Sequence, residues 1–202
     1  SSDWMSSVGT TSYIQLLNKS NNHLISQEFL SRSGGALFII FPHIYWDASS
    51  ENGIDLLEDY KKWFEETIIF LLEKTNSNII IKDHPANLAK SAIDSETYIS
   101  EIEIFIKKYE ARFSKRTLYL KPDTFLSSLD LISLSDYVLT VRGTPGVEAS
   151  LLSKKVIFAG TGRYDGYNFG TFPKSKKEYF DILKLASEMK VSKNKEEKYN
   201  AA

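Results

Sequence analysis

The sequence predicts a doubly wound α/β domain, with one parallel sheet of about five strands and helices on both faces. Short, continuously apolar runs of strand length recur along the chain, and between them apolar residues return at helical spacing. A strand buried on both faces needs continuous rather than alternating hydrophobicity. Strands separated by helices are joined by right-handed crossovers into a parallel sheet. The 202 residues, 42% hydrophobic and 25% charged, suffice for one such domain with a short extension.

Residues 1–35 are polar, rich in Ser and Asn, with two short helices expected over 13–17 and 24–30 and a break at Ser33-Gly34-Gly35. The run 36–41 reads as the first strand and is closed by Pro42. Over 54–74, Leu56, Leu57, Tyr60, Phe64, Ile68, Leu71 and Leu72 mark one face of a long amphipathic helix. A second buried strand over 78–81 runs into Lys82-Asp83-His84-Pro85, and a helix is expected over 97–113. Further strands follow at 117–120, 137–141 and 155–159, with helices at 124–133, 147–152 and 180–189. The domain is therefore placed at 36–189, between an N-terminal helical or irregular extension (1–35) and a charged tail (190–202).

Composition narrows the function. Lys and Arg number 25 against 26 Asp and Glu, so net charge supplies no reason to expect nucleic acid or an anionic membrane as the main partner. The absence of cysteine excludes disulfides, thiolate metal sites and cysteine nucleophiles. With three histidines and no Asp-x-Asp pair, no metal site is expected. The apolar runs fall far short of the roughly 20 residues that cross a bilayer, so no transmembrane segment is expected. No basic-then-apolar leader opens the chain, and Ser1-Ser2-Asp3-Trp4, without a start methionine, reads as the beginning of a piece of something longer.

In open α/β sheets ligands bind beyond the carboxyl ends of the strands, where strand order reverses. The unusual polar residues fall at those ends: His43, Tyr45 and Asp47 after the first strand, and Asp83-His84-Pro85 after the second. Arg142-Gly143-Thr144-Pro145-Gly146 follows the fourth strand, and Gly160 to Tyr164 follows the fifth. In Gly143–Gly146 a strand turns into a helix, with Pro145 at its start. The free N–H groups of that first turn suit a phosphate, Thr144 can cap the helix or donate to an oxygen, and Glu148 lies one turn in, where a carboxylate accepts from ribose hydroxyls. A tight strand-to-helix turn with a satisfied cap is the equal alternative.

Pro85 pushes His84 towards an extended conformation. Its imidazole can donate to a phosphate oxygen or act as an acid near neutral pH, or it can simply bond a backbone carbonyl in its loop. Asp47 can act as general base for an acceptor hydroxyl, although on its own it reads better as capping a turn with Ser49 and Ser50. Tyr45 and Trp46 can stack on a base or sugar, but pack more commonly in cores. His43 and His23 are read as structural or surface residues.

Several stretches resemble, in order, bacterial capsule polysaccharide biosynthesis proteins. They are Phe41-Pro-His-Ile-Tyr-Trp-Asp47-Ala-Ser, Trp63-Phe-Glu-Glu-Thr67-Ile, Ile-Ile-Ile-Lys-Asp-His84-Pro85, Ser135-Asp-Tyr-Val-Leu-Thr, Gly146-Val-Glu148-Ala, and Lys155-Val-Ile-Phe-Ala-Gly160 with Tyr164. The resemblance covers about residues 36–172, most of the chain. Those proteins are similar to GT-B glycosyltransferases, including the capsule Kdo transferases and, more distantly, bacterial sialyltransferases with a His-Pro motif. It implies a Rossmann-like domain, one half of a GT-B fold. That half would bind a nucleotide sugar, a CMP-linked one among the candidates, as substrate and use no cofactor.

The resemblance further implies that His84, Pro85, Arg142, Gly143, Thr144, Gly146, Glu148, Gly160 and Tyr164 bind the donor, with Asp47 and His84 catalytic. Asp47 matches the base that in Kdo transferases lies in a loop before the His-Pro motif. A saccharide acceptor, a second Rossmann-like domain or partner chain, and a cytoplasmic location, peripheral at the inner face of the membrane, go with that reading. Two departures stand out: the chain has room for one of the two GT-B domains, and Arg142 stands where related motifs carry small hydroxyl residues. A non-hydrolysing nucleotide-sugar epimerase and a non-catalytic nucleotide- or phosphosugar-binding module are the alternatives.

Overall fold

The computed structural model describes residues 25, 29, 35–45, 56–88, 99–113, 116–162, 164 and 166–189. Their strands are β1 (Leu37–Ile40), β2 (Asn78–Lys82), β3 (Thr117–Leu120), β4 (Tyr137–Thr140) and β5 (Lys155–Phe158). All pair in parallel in the order β3-β2-β1-β4-β5, the single Rossmann-like sheet that the apolar runs predict. Every residue of β1, β2 and β4 is buried, which is why these segments are so continuously apolar.

The helices are α1 (Tyr60–Lys74), α2 (Glu101–Lys108), α3 (Ser128–Leu134), α4 (Thr144–Leu151) and α5 (Lys176–Glu188), with a 3₁₀ turn at Glu110–Arg112. Alternate strand residues face opposite layers. Phe38, Ile40, Ile79, Ile81 and Leu139 pack with Trp63, Phe64, Phe105 and Tyr179 from α1, α2 and α5. Leu37, Ile39, Ile80, Val138 and Phe158 pack with Leu131, Ile132 and Ala149 from α3 and α4. The chain thus winds outward from β1 to β3 beneath one layer, then crosses back to β4 and β5 beneath the other. Winding reverses between the neighbours β1 and β4.

Side-chain caps explain where α1, α2, α3 and α5 begin, and why those boundaries differ from the ones that periodicity suggests. Asp59 accepts from the Lys62 N–H at 2.6 Å and starts α1 later than the apolar stripe does. The preceding segment is instead tied to the end of β5, through a bond from the Leu56 N–H to the Ala159 carbonyl. Ser100, Ser127 and Ser175 accept from the N–H three residues on and open α2, α3 and α5. The last of these moves the closing helix forward to Lys176. Beyond the far end of α1, Arg116 donates to the carbonyls of Leu72, Thr75 and Ser77, tying the end of that helix to the start of β3.

The helix expected over 13–17 and the charged tail lie outside the described residues. Of the segment 24–30, Ile25 and Phe29 are described. They pack in the layer of α3 and α4, and the Phe29 carbonyl accepts from Asn78 Nδ2 at 2.8 Å.

Between α1 and α5 the buried Tyr179 hydroxyl accepts from Trp63 Nε1 at 2.9 Å and lies 3.1 Å from Thr67 Oγ1. Burial raises the pKa of this phenol, with the bonds to Thr67 and Trp63 acting the other way. Tyr179→Phe leaves a buried indole N–H without its acceptor and should cost about 1–3 kcal/mol. Urea unfolding would show this as a lower midpoint at unchanged slope. An unchanged midpoint would show that the bond contributes nothing.

Candidate functional site

The reversal between β1 and β4 places two loops side by side at the carboxyl edge of the sheet. From the first, His43 lays its ring on Tyr60, the opening residue of α1, at 4.4 Å between centroids and 21° between planes. From the second, the Arg142 N–H donates to His43 Nε2 at 3.2 Å. Thr140 Oγ1 lies 3.3 Å from the same nitrogen and accepts from the Gly143 N–H at 3.2 Å. Because an amide N–H can only donate, Nε2 is the unprotonated nitrogen, and the Thr140 hydroxyl donates to it. The half-buried Arg142 carries its guanidinium over the Tyr60 ring, 5.7 Å from the centroid.

His43 therefore has partners at the reversal, where the sequence offered none to name. Its partner lies 99 residues away, so no local pattern could reveal the contact. Pro42 and the end of an apolar run were the available signal.

The Gly143 turn also differs in detail from expectation. Helix α4 begins at Thr144, not Val147, and its N-cap is Gly143, which makes no side-chain cap bond. Thr144 is thus an exposed first-turn residue and not the cap. The glycine is required by space: a Cβ on Gly143 would come within 2.9 Å of Thr140 Oγ1. The Gly146 N–H already donates to the Gly143 carbonyl, and a Cβ there would stand 2.5 Å from the Phe158 ring. Gly146 is consequently a packing residue that seats α4 on β5. Pro145 has no N–H, and among the described residues the Thr144 N–H makes no bond within the protein. That leaves Thr144 as the backbone donor at the positive end of α4.

Across β1, β2 ends in Lys82 and is followed by Asp83, both buried. Asp83 accepts from four donors: the His84 N–H at 2.7 Å, Asn87 Nδ2 at 2.7 Å, Ser100 Oγ at 2.6 Å and Tyr119 OH at 2.8 Å. The carboxylate fixes the loop that presents His84, which is exposed. Nδ1 of His84 accepts from the Ala86 N–H at 3.1 Å, so a neutral ring carries its proton on Nε2. Pro85 is exposed beside it, and residues 86–88 begin a helical turn. The ends of β2 and β4 are two strand spacings apart, about 10 Å.

Glu148 is half-buried on α4. Burial lowers the pKa of the Lys82 ammonium, while the carboxylates of Asp83 and Glu148 raise it. Lys82 is the second residue that sequence reading passed over, since it looks like the polar end of a strand. Gly160 is buried just beyond β5. Tyr164 packs edge-on against Phe169 at 6.2 Å, within the aromatic cluster around Phe158. Tyr45 packs on the core with a buried hydroxyl that has no hydrogen-bond partner among the described residues, and burial raises its pKa. Asp47 and Trp46 lie outside the described residues, as do Ser49 and Ser50. The structure thus brings Arg142, Gly143 and Thr144 together with His43 at the reversal, places His84 two strands across, and leaves Tyr164 packed at the sheet edge.

The comparisons bear on the fold and the family. Among solved structures, the UDP-GlcNAc 2-epimerase of Methanocaldococcus jannaschii, in complex with UDP-GlcNAc and UDP, is similar at a TM-score of 0.50 and 17% identity. That match covers 90% of this chain and 46% of the epimerase. The β-Kdo 2,4-transferase of Thermosulfurimonas dismutans KpsC matches at 0.46 and 22% identity, covering 75% of this chain and 44% of its own. The 2,7-transferase of the same protein matches at 0.46 and 19%, covering 87% and 57%. The chain spans about half the length of these proteins. No curated protein matches it. At these identities the likeness to the epimerase speaks to the fold alone. The family model for capsule polysaccharide biosynthesis proteins matches residues 19–190, nearly the whole sequence. The chain belongs to the family of capsule polysaccharide biosynthesis proteins.

Proposed function

We propose that the chain is the donor-binding half of a glycosyltransferase that transfers a sugar from a nucleotide-activated donor to a growing bacterial capsule or surface polysaccharide. The observation that carries this reading is the cationic turn at the strand-order reversal: Arg142 and the start of α4, held against β1 by His43. Membership of the capsule family supports the class of chemistry. Arg142, the Thr144 N–H and the dipole of α4 receive the donor phosphate, and Gly143 lets the backbone approach it. His84 donates to a phosphate oxygen from Nε2, with Pro85 holding its loop. Glu148 accepts from ribose hydroxyls, while Gly160 and Tyr164 border the far side.

In the transfer itself, Asp47 takes the proton of the acceptor hydroxyl, whose oxygen attacks the anomeric carbon as the bond to phosphate breaks. Arg142, His84 and the α4 start stabilise the charge that appears on the departing phosphate. The acceptor site belongs to a second Rossmann-like domain or a partner chain. Among the described residues no helix is long and apolar enough to cross a membrane. We place the transfer in the cytoplasm, at the inner face of the membrane.

CMP-, UDP- or GDP-linked sugars should raise the melting temperature of the chain. Saturation at a hundred times Kd is worth about 2.7 kcal/mol, or roughly 5–10 °C for a domain of this size. Arg142→Ala and His84→Ala should lose the shift while melting normally without ligand. Absence of a shift with all three donor classes would overturn the donor-site reading. Binding without turnover in the presence of an acceptor and the second domain would leave a binding module.

A further inference from the structure

The cluster around Tyr60 does more than fill space. Three elements meet there: His43 from the loop after β1, Tyr60 from the first turn of α1, and Arg142 from the loop after β4. The Tyr60 ring is buried at 3% exposure and cannot move without disturbing the core of α1. The imidazole of His43 is stacked on that ring at 4.4 Å, and the Arg142 guanidinium lies over it at 5.7 Å. One fixed ring therefore orients both groups. The imidazole in turn receives two donors at Nε2, the Arg142 N–H and the Thr140 hydroxyl, and Thr140 receives the Gly143 N–H. The turn leading into α4 has its backbone held from outside at Arg142 and, through Thr140, at Gly143.

We propose that His43 is the positioning residue of the phosphate-binding turn: its unprotonated Nε2 and its stack on Tyr60 hold Arg142 and Gly143 in the binding conformation before ligand arrives. This rests on the reading of Arg142 and the α4 start as the phosphate site. A preorganised turn binds without having to order itself first, so its loss appears as lost affinity. His43 itself is only half-buried at the carboxyl end of the sheet, and its contact with the core is the stack on Tyr60. Two substitutions separate its properties. His43→Phe keeps a ring to stack on Tyr60 but removes the acceptor. His43→Gln keeps an acceptor at the Nε2 position but removes the ring.

The test is calorimetric titration of the chain with CMP, UDP and GDP, alongside melting of each unliganded variant. For whichever nucleotide the wild type binds, His43→Ala and His43→Phe should weaken binding about tenfold or more. His43→Gln should recover most of that loss, with unliganded melting little changed. The losses of His43→Ala and Arg142→Ala should be less than additive in the double variant, because part of the histidine's effect runs through the arginine. Wild-type affinity in His43→Phe, or losses that add in the double variant, would overturn the inference while leaving the phosphate site standing. Unchanged affinity in Arg142→Ala, or no binding by the wild type, would overturn the site reading and this inference with it. If His43→Ala does not fold, the comparison of His43→Phe with His43→Gln decides the matter alone.

Discussion

Gly146→Val should lower the stability of the chain by about 3 kcal/mol or more, the high end of what overpacking costs. The Cβ would stand 2.5 Å from two carbons of the Phe158 ring and 3.3 Å from Thr140 Cγ2. The ring has nowhere to retreat. It is stacked on Phe172 at 4.5 Å and 4°, and on another side a Cβ at Gly170 would already stand 2.6 Å from it. Any gain in helix propensity from replacing glycine is below about 1 kcal/mol and does not offset the collision. Relief must therefore come from the ring itself. Phe158→Leu, destabilising alone, should recover part of the loss when combined with Gly146→Val, and unfolding of the four proteins in urea would show that coupling. A Gly146→Val protein within 0.5 kcal/mol of wild type, the scatter of an ordinary surface change, would mean that α4 is not seated on β5 as described.

The second large effect belongs to Asp83. Asp83→Ala leaves four donors pointing at an emptied position, three of them on the side chains of Asn87, Ser100 and Tyr119. Removing one partner of a buried, charge-assisted network costs about 3–5 kcal/mol. Asp83→Asn is the more informative change. An amide has one oxygen and one NH₂, and the NH₂ would face two donors in place of acceptors. The asparagine variant should therefore lose nearly as much stability as the alanine variant, despite matching the carboxylate in shape. Near-wild-type stability in Asp83→Asn would show that the surrounding hydroxyls can turn to accept. Because the His84 N–H is one of the four donors, both variants should also reduce nucleotide affinity at a temperature where they remain folded.

Much of this was legible in the residues because burial writes itself into composition. Strands covered on both faces must be apolar throughout, so 78–81 and 137–141 announced themselves, and with them the parallel sheet. Helix starts were less visible, since Ser100, Ser127 and Ser175 set them by single hydrogen bonds that periodicity ignores. At the candidate site, rules of local chemistry single out Arg142, Gly143 and His84, which sit just past strand ends. They could not show that the Gly146 N–H is consumed inside its own turn or that its missing side chain makes room for Phe158. His43 escaped because its role is defined by residues from two other elements. Asp83 looked like one more polar residue in a loop, and only the fold reveals that four donors converge on it.

The bond between Arg142 and His43 has a consequence for how the chain acquires its shape. It links positions 99 apart, across the neighbouring strands β1 and β4. Contacts of such separation form only after the intervening chain has given up its loop-closure entropy, and a parallel sheet contains few shortcuts. The crevice cannot exist in a half-assembled intermediate: β1, β2 and β3 can pair among themselves, yet the turn beside His43 takes form only when β4 docks against β1. A nucleotide bound there, as proposed, would recognise the finished product of folding and nothing earlier. Its effect would fall on the rate at which the native domain comes apart, not on the rate at which it is made.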